Sequence, residues 1–279
     1  MAERKFKNSW SRLGRAAEHL ASFQHEWHTL LTKDGFALVT RYDKDSGWTI
    51  ASAIPNVATE ERIRDNTLSL VVGEYAYQLR AALDGLIWDA FTLIKGSEPT
   101  AKASSLYFPI YTGDRAKTFQ KDGFGVRFPK KLEDWLKSIQ PETPEKPEEH
   151  PDWRVAAALT AIHDLARFDR HRRLRIIGAI PTVIGFAAFQ TPPTPPVSID
   201  IAEWDSIPCD VLNKQYDFLR FKVSDGTIEF PNKMLEIHLT FEVAFEDIRP
   251  VAGVPSGDRL PSFAAAANYI IDRFEQEFV

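Results

Sequence analysis

Two short stretches hold the side chains best suited to chemistry. In the first, Glu74, Tyr77, Gln78, Arg80 and Asp84 fall within three turns of what reads as one helix. Tyr77, Arg80 and Asp84 are three and four residues apart, so they lie along a single stripe. On an exposed face, an arginine and a carboxylate one turn apart form an ion pair that stabilises by about 0.2–0.5 kcal/mol. Here the neighbours are leucine, alanine, isoleucine and Trp88, which predicts partial burial. A buried pair either braces a second helix or holds an anion.

The second stretch is His163-Asp-Leu-Ala-Arg-Phe-Asp-Arg-His-Arg-Arg-Leu-Arg175. His163, Arg167 and His171 are spaced four and four, again one stripe, and Asp164 stands three before Arg167. Five arginines fall between 167 and 175, Arg172 among them, with only Asp169 against them. Guanidinium forks bind phosphate or carboxylate bidentately, and the histidines titrate near neutrality. The stretch is therefore either a phosphate or RNA-backbone contact or a cationic helix C-terminus favoured by the macrodipole.

Other chemistries lack their residues. His25 and His28 flank Glu26, with His19 six before, but no HExxH, CxxC or EF-hand loop occurs, so no metal site is expected. No GxGxxG, GxxxxGK[ST] or GxSxG occurs either, and no cofactor is expected. Cys209 is the only cysteine, which excludes an intramolecular disulfide and fits a reducing compartment. The 279 residues carry a formal charge of −5, too mild to steer the whole protein to nucleic acid or an acidic membrane. The start, MAERKFKNSW, has no apolar h-region, and no apolar run reaches the roughly 18–20 residues of a spanning helix. A cytoplasmic protein without membrane contact is expected.

The elements that must position these residues are legible from periodicity. Apolar steps of three and four from Trp10 to Leu31 predict a helix over 9–32, with Gly35 suited to its C-terminal cap. Phe36–Tyr42 and Trp48–Ile54 flank Asp43-Lys-Asp-Ser-Gly47 as a hairpin. A broad apolar face from Leu68 to Ile94, preceded by Asp65, Asn66 and Thr67 and ended by Gly96, predicts a central helix over about 66–95. Tyr107-Phe-Pro-Ile110 reads as a short buried segment, and Lys131–Ile139 as a short helix. Asp152 caps a helix over about 153–173. Strand patterns follow from Leu174 to Phe189 and over Ser198–Trp204, Phe218–Val223 and Leu235–Phe245, with a polyproline-type connector at Thr191–Pro196. Pro261–Phe278 closes as an amphipathic helix. The class is α+β: a helical core on a long central helix, packed with an antiparallel sheet shared by the N-terminal hairpin and the C-terminal strands. Interleaved ends predict one domain over 1–279, with a helical region at about 9–175, a β-rich region at about 176–250 and a closing helix at about 261–278.

Leu68–Trp88 resembles the signature helix of a family of uncharacterised bacterial proteins, roughly G-D-x-x-H-N-L-R-S-A-L-D-H-L-x-W. Tyr107-Phe-Pro-Ile110 is similar to that family's F-P-I segment, and Ile162–Leu174 to its L-N-N-I-D-K-H-R-x-L signature. The likeness covers most of residues 10–180. The family helix in turn resembles the R-x(4–6)-H pattern of HEPN helical domains. That resemblance implies metal-free RNA cleavage, with histidine moving a proton and arginine steadying charge, in homodimers of toxin–antitoxin and phage-defence systems. This chain keeps Arg80 and Asp84 but has Gly85 where the family has histidine, and Tyr77-Gln78 where it has H-N. Glycine moves no proton, so the motif is degenerate. The spacing also matches Arg12 to His19, a pattern short enough to recur by chance.

Three readings follow. In the first, a HEPN-like protein binds or cuts RNA through Arg80, Asp84, Arg167, Asp169, His171 and Arg172, with His171 supplying the imidazole and Tyr77 and His163 nearby; it requires the two stripes to share a cleft. In the second, a non-enzymatic scaffold or partner-binding protein uses the same network to fix helix packing. In the third, Tyr77, Arg80 and His171 act on a small anionic ligand.

Overall fold

The structure, a computed structural model, describes residues 4–32, 35–98, 106–111, 130–141, 152–171, 176–188, 199–204, 216–223, 235–245 and 259–277. The Thr191–Pro196 connector, Cys209 and Arg172 lie outside them.

The central helix α3 (Thr67–Lys95) has 29 residues and is about 43 Å long. Its buried face runs Leu68, Val72, Tyr75, Leu79, Leu83, Leu86, Ile87, Ala90, the spacing that the apolar pattern dictates. Its start is set by Asp65, whose Oδ1 accepts from the Thr67 N–H at 2.8 Å, while Asn66 adopts a left-handed φ of 62° and makes no side-chain cap. At the other end Gly96, at φ 68°, donates its N–H to Thr92 O at 2.8 Å, a conformation that a side chain would strain.

Three further long helices pack on α3: α1 (Lys7–Thr32), α5 (Trp153–His171) and α6 (Arg259–Glu277). α1 and α6 also touch each other, as do α5 and α6, so the four enclose a continuous apolar cluster. Phe6 and Phe274, both fully buried, meet edge to face at 6.2 Å. Trp10 Nε1 donates to Glu275 Oε1 at 2.9 Å, tying the first helix to the last. The short α4 (Lys130–Ser138) adds Leu132 and Leu136, and its Trp135 packs against Tyr269 and Phe274. Tyr75 of α3 donates its buried hydroxyl to the Leu260 carbonyl, and burial pushes the phenol pKa well up.

β1 (Phe36–Asp43) and β2 (Trp48–Pro55) form the expected hairpin, in register from Phe36↔Pro55 to Asp43↔Trp48. In its turn Asp43 accepts from Ser46 Oγ at 2.6 Å and from the Asp45 N–H at 3.1 Å, which holds its carboxyl below the ordinary value. β5 (Tyr216–Val223) pairs with β2, and β4 (Ile199–Trp204) with β5, giving one antiparallel sheet in the order β1-β2-β5-β4. The hairpin and two C-terminal strands thus share a sheet, and the class is α+β. The remaining strands do not join it: β6 (Leu235–Phe245) pairs antiparallel with β3 (Ile176–Ala188) as a separate two-stranded ribbon. The sheet buries its own residues, Ile50, Ala51, Ala53, Leu219 and Phe221, apart from the helical cluster. Across it Ser52 Oγ donates to Asp217 Oδ1 at 2.6 Å and Arg41 pairs with the same carboxylate.

Two local features depart from the sequence reading. A helix α2 (Val57–Arg64) follows the hairpin, capped by Asn56 Oδ1 accepting from the Thr59 N–H at 2.7 Å. Gly35 is not a left-handed cap: it lies against the Leu30 carbonyl oxygen, where a Cβ would collide with backbone, and its own carbonyl accepts from Asn56 N at 2.9 Å.

Candidate functional site

Arg80 and Asp84 sit one turn apart on α3, and both reach the same residue. Arg80 Nη2 donates to the Phe108 carbonyl at 2.8 Å, and Asp84 Oδ1 accepts the Phe108 N–H at 2.8 Å. The pair closes on itself through Nη2–Oδ1 at 2.9 Å and Nε–Oδ2 at 3.2 Å. Both main-chain groups of one residue are thereby satisfied by one ion pair, which stands in for the strand that an isolated extended segment lacks. The Arg80 side chain is 10 % exposed and that of Asp84 35 %. Phe108 itself is fully buried, with Ile110 beside it in the core. At the far end of the segment Gln140 accepts from the Tyr111 N–H at 3.0 Å and donates to Leu136 O at 2.8 Å. The burial expected for the pair is met, and the element that it braces is a loop backbone rather than a helix.

The outer side of the pair borders a cleft of about 470 Å³ between α1 and α3. Along α3 its wall runs Tyr77, Arg80, Ala81, Asp84, Gly85, Trp88, one face stepped by three and four. Asn8 and Arg12 of α1 close it from the opposite side, with Leu106. The small Ala81 and Gly85 lie between the aromatic Tyr77 and Trp88, which are 45 % and 38 % exposed. Those two rings are eleven residues apart, about 16 Å along the axis and close to three full turns, so they face the same way.

α1 comes close to α3 at Gly85. A Cβ there would stand 3.2 Å from Asn8 Nδ2 and 3.6 Å from Ser9 Oγ. α1 and α3 run antiparallel, since Arg12 donates to Gln78 Oε1 at 3.4 Å while the later His19 pairs with the earlier Glu74 at 3.3 Å. Arg12 is therefore in the cleft and His19 is two turns away from it, engaged elsewhere.

The second polar stretch is placed differently. His163 is part-buried on α5 and Arg167 is exposed, and neither lines the cleft. Asp164, half-buried beside them, has its carboxyl pushed up by burial, only partly opposed by Arg167. Asp169 and His171 lie within α5, but their side chains, like all of Arg172, fall outside the described residues. Among the described side chains, none from α5 lines the cleft. His25 and His28 are exposed on α1.

Two lining residues, Asn8 and Arg12, escaped the site reading. The signal for them was present: residues 4–15 carry Arg4, Lys5, Lys7, Arg12 and Arg15 and no acid. The cleft thus offers two guanidinium groups, an amide, a carboxylate and two aromatic faces. Among the described residues that line it there is no imidazole. Those are groups that hold an anionic, ring-bearing ligand. Neither a protein-family model, nor a curated protein, nor a solved structure matches the chain.

Proposed function

We propose that the protein binds single-stranded RNA in the α1–α3 cleft without cutting it there. The observation that carries this reading is the pairing of Arg12 with two exposed aromatic rings, Tyr77 and Trp88, along one open face. Single strands are held by this combination: aromatic stacking contributes about 1–3 kcal/mol per base, and arginine tracks the backbone. The likeness of Leu68–Trp88 to HEPN-type helices supports RNA as the polymer, and Gly85 in the histidine position supports binding without cleavage. A homodimer and a defence or toxin–antitoxin setting belong to the same resemblance and are proposed with it.

A second reading, a partner-binding scaffold whose polar network is structural, is favoured for Arg80 and Asp84 by their shared grip on Phe108. The two readings separate by residue. Titration of a labelled single-stranded RNA at about 50 mM salt should give binding that weakens as salt rises. Tyr77→Ala and Trp88→Ala should each weaken it at least about fivefold, the lower end of one stacked base. Arg12→Gln should shallow the slope of log K against log salt by about 0.7, one phosphate contact. Absence of binding at low salt, or affinity indifferent to all three substitutions, would sink the RNA reading and leave the scaffold.

A further inference from the structure

A second cavity, of about 620 Å³, lies in the valley between α5 and α6, and among the described residues it shares none with the cleft. We propose that it binds a long-chain carboxylate, an apolar tail with one anionic head.

The floor is made of small and apolar side chains that belong to the core: Ala158, Ala161 and Ala266, with Phe263. Alanines where two packed helices would otherwise carry larger residues leave the valley open. Its banks are Trp153 and Tyr269, large rings left 38 % and 44 % exposed. The volume is within the range of about 300–1,000 Å³ that encloses a small organic ligand. The walls offer such a ligand apolar contact along most of their length, which selects a hydrocarbon tail.

The head group is selected by charge. Among the described lining residues the charged side chains are Arg154 and Arg259. Both arginines are exposed and stand in the first turns of α5 and α6. Arg154 lies over the Trp153 ring at 5.5 Å, which keeps one guanidinium at the bank of the valley. An apolar trough whose described walls carry guanidinium groups complements an acid with a tail. A neutral lipid gains nothing from the arginines, and a free phosphate gains nothing from the alanines.

Calorimetric titration of the intact chain with octanoate, decanoate and dodecanoate, kept below self-association, tests this. Affinity should rise roughly tenfold for each two added carbons, as burial of methylene groups requires. Dodecanol should bind at least tenfold more weakly than dodecanoate. Arg154→Gln with Arg259→Gln should abolish that preference while leaving dodecanol unchanged. Ala157→Trp, at an exposed lining position, should fill the valley and remove binding of both while leaving Tm intact. No binding, no dependence on chain length, equal affinity for acid and alcohol, or dodecanoate binding that survives Ala157→Trp would each overturn the proposal. So would an acidic amphipathic peptide that displaces dodecanoate at lower concentration than any fatty acid.

Discussion

Replacing Arg80 with alanine removes three contacts at once: the bond to the Phe108 carbonyl and both bonds to Asp84. The carbonyl is left buried without its donor, a loss of about 1–3 kcal/mol. Breaking a buried ion pair by deleting one partner costs about 3–5 kcal/mol. That upper figure is discounted here, because Asp84 is 35 % exposed and keeps the Phe108 N–H. The better helix propensity of alanine recovers only a few tenths of a kcal/mol. The net destabilisation is about 3 kcal/mol, which for a chain of this size lowers Tm by roughly 6–10 °C. Urea unfolding followed by circular dichroism gives the free energy, and calorimetry gives Tm. Arg80→Lys, which replaces a fork by a single ammonium, should recover only part of the loss. Combined with Asp84→Asn, the cycle should show a coupling of about 1 kcal/mol or more. If Arg80→Ala melts within about 1 °C of the parent, the clamp on Phe108 is not a stabilising element and the structural account of the pair is wrong.

Tyr75→Phe strips the hydroxyl donor from the Leu260 carbonyl deep in the α3–α6 contact and should cost about 1–2 kcal/mol in the same urea assay. Burial pushes the Asp217 carboxyl up, but the bonds from Ser52 and Arg41 outweigh it and hold the folded pKa below the ordinary 3.8. A depressed carboxylate contributes stability that is present at neutral pH and is lost as pH falls through its folded value, so unfolding free energy should drop below about pH 4 and Asp217→Asn should flatten that drop. Gly85→His rebuilds the arginine–histidine spacing, yet RNA incubated with it should stay uncut, because the Arg80 guanidinium is already engaged with Phe108 and Asp84; appearance of cleavage products would show that Arg80 is available to a substrate.

The helices were legible because their apolar steps are long and local. Leu68 to Ile94 specifies α3 on its own, and Leu235, Ile237, Leu239, Phe241, Val243 and Phe245 likewise mark β6 as a strand. What a strand pairs with is not local: nothing in the alternation of β6 distinguishes a place beside β5 from the ribbon with β3 that it makes. The helix α2 was passed over because eight residues give too short a period, although Asn56 three before Thr59 was a usable cap. At the site, Arg80 and Asp84 were found from spacing, whereas their partner is a backbone 24 residues or more away, which residue types do not encode. Arg12 and Asn8 enter the cleft only because α1 runs antiparallel to α3 and comes close at Gly85.

The bond from Tyr75 to Leu260 also sets a timetable. α3 leaves the ribosome with an apolar face that α6, some 180 residues later, must cover. At about 5–20 residues per second, the nascent chain carries that uncovered face for roughly 10–40 s. During synthesis the early helices have only one another, and Phe6 waits for Phe274. A ribosome stalled before residue 259 should therefore hold a chain that proteases cut within α3 and that holdase chaperones retain. Release of the full chain should end both susceptibilities together.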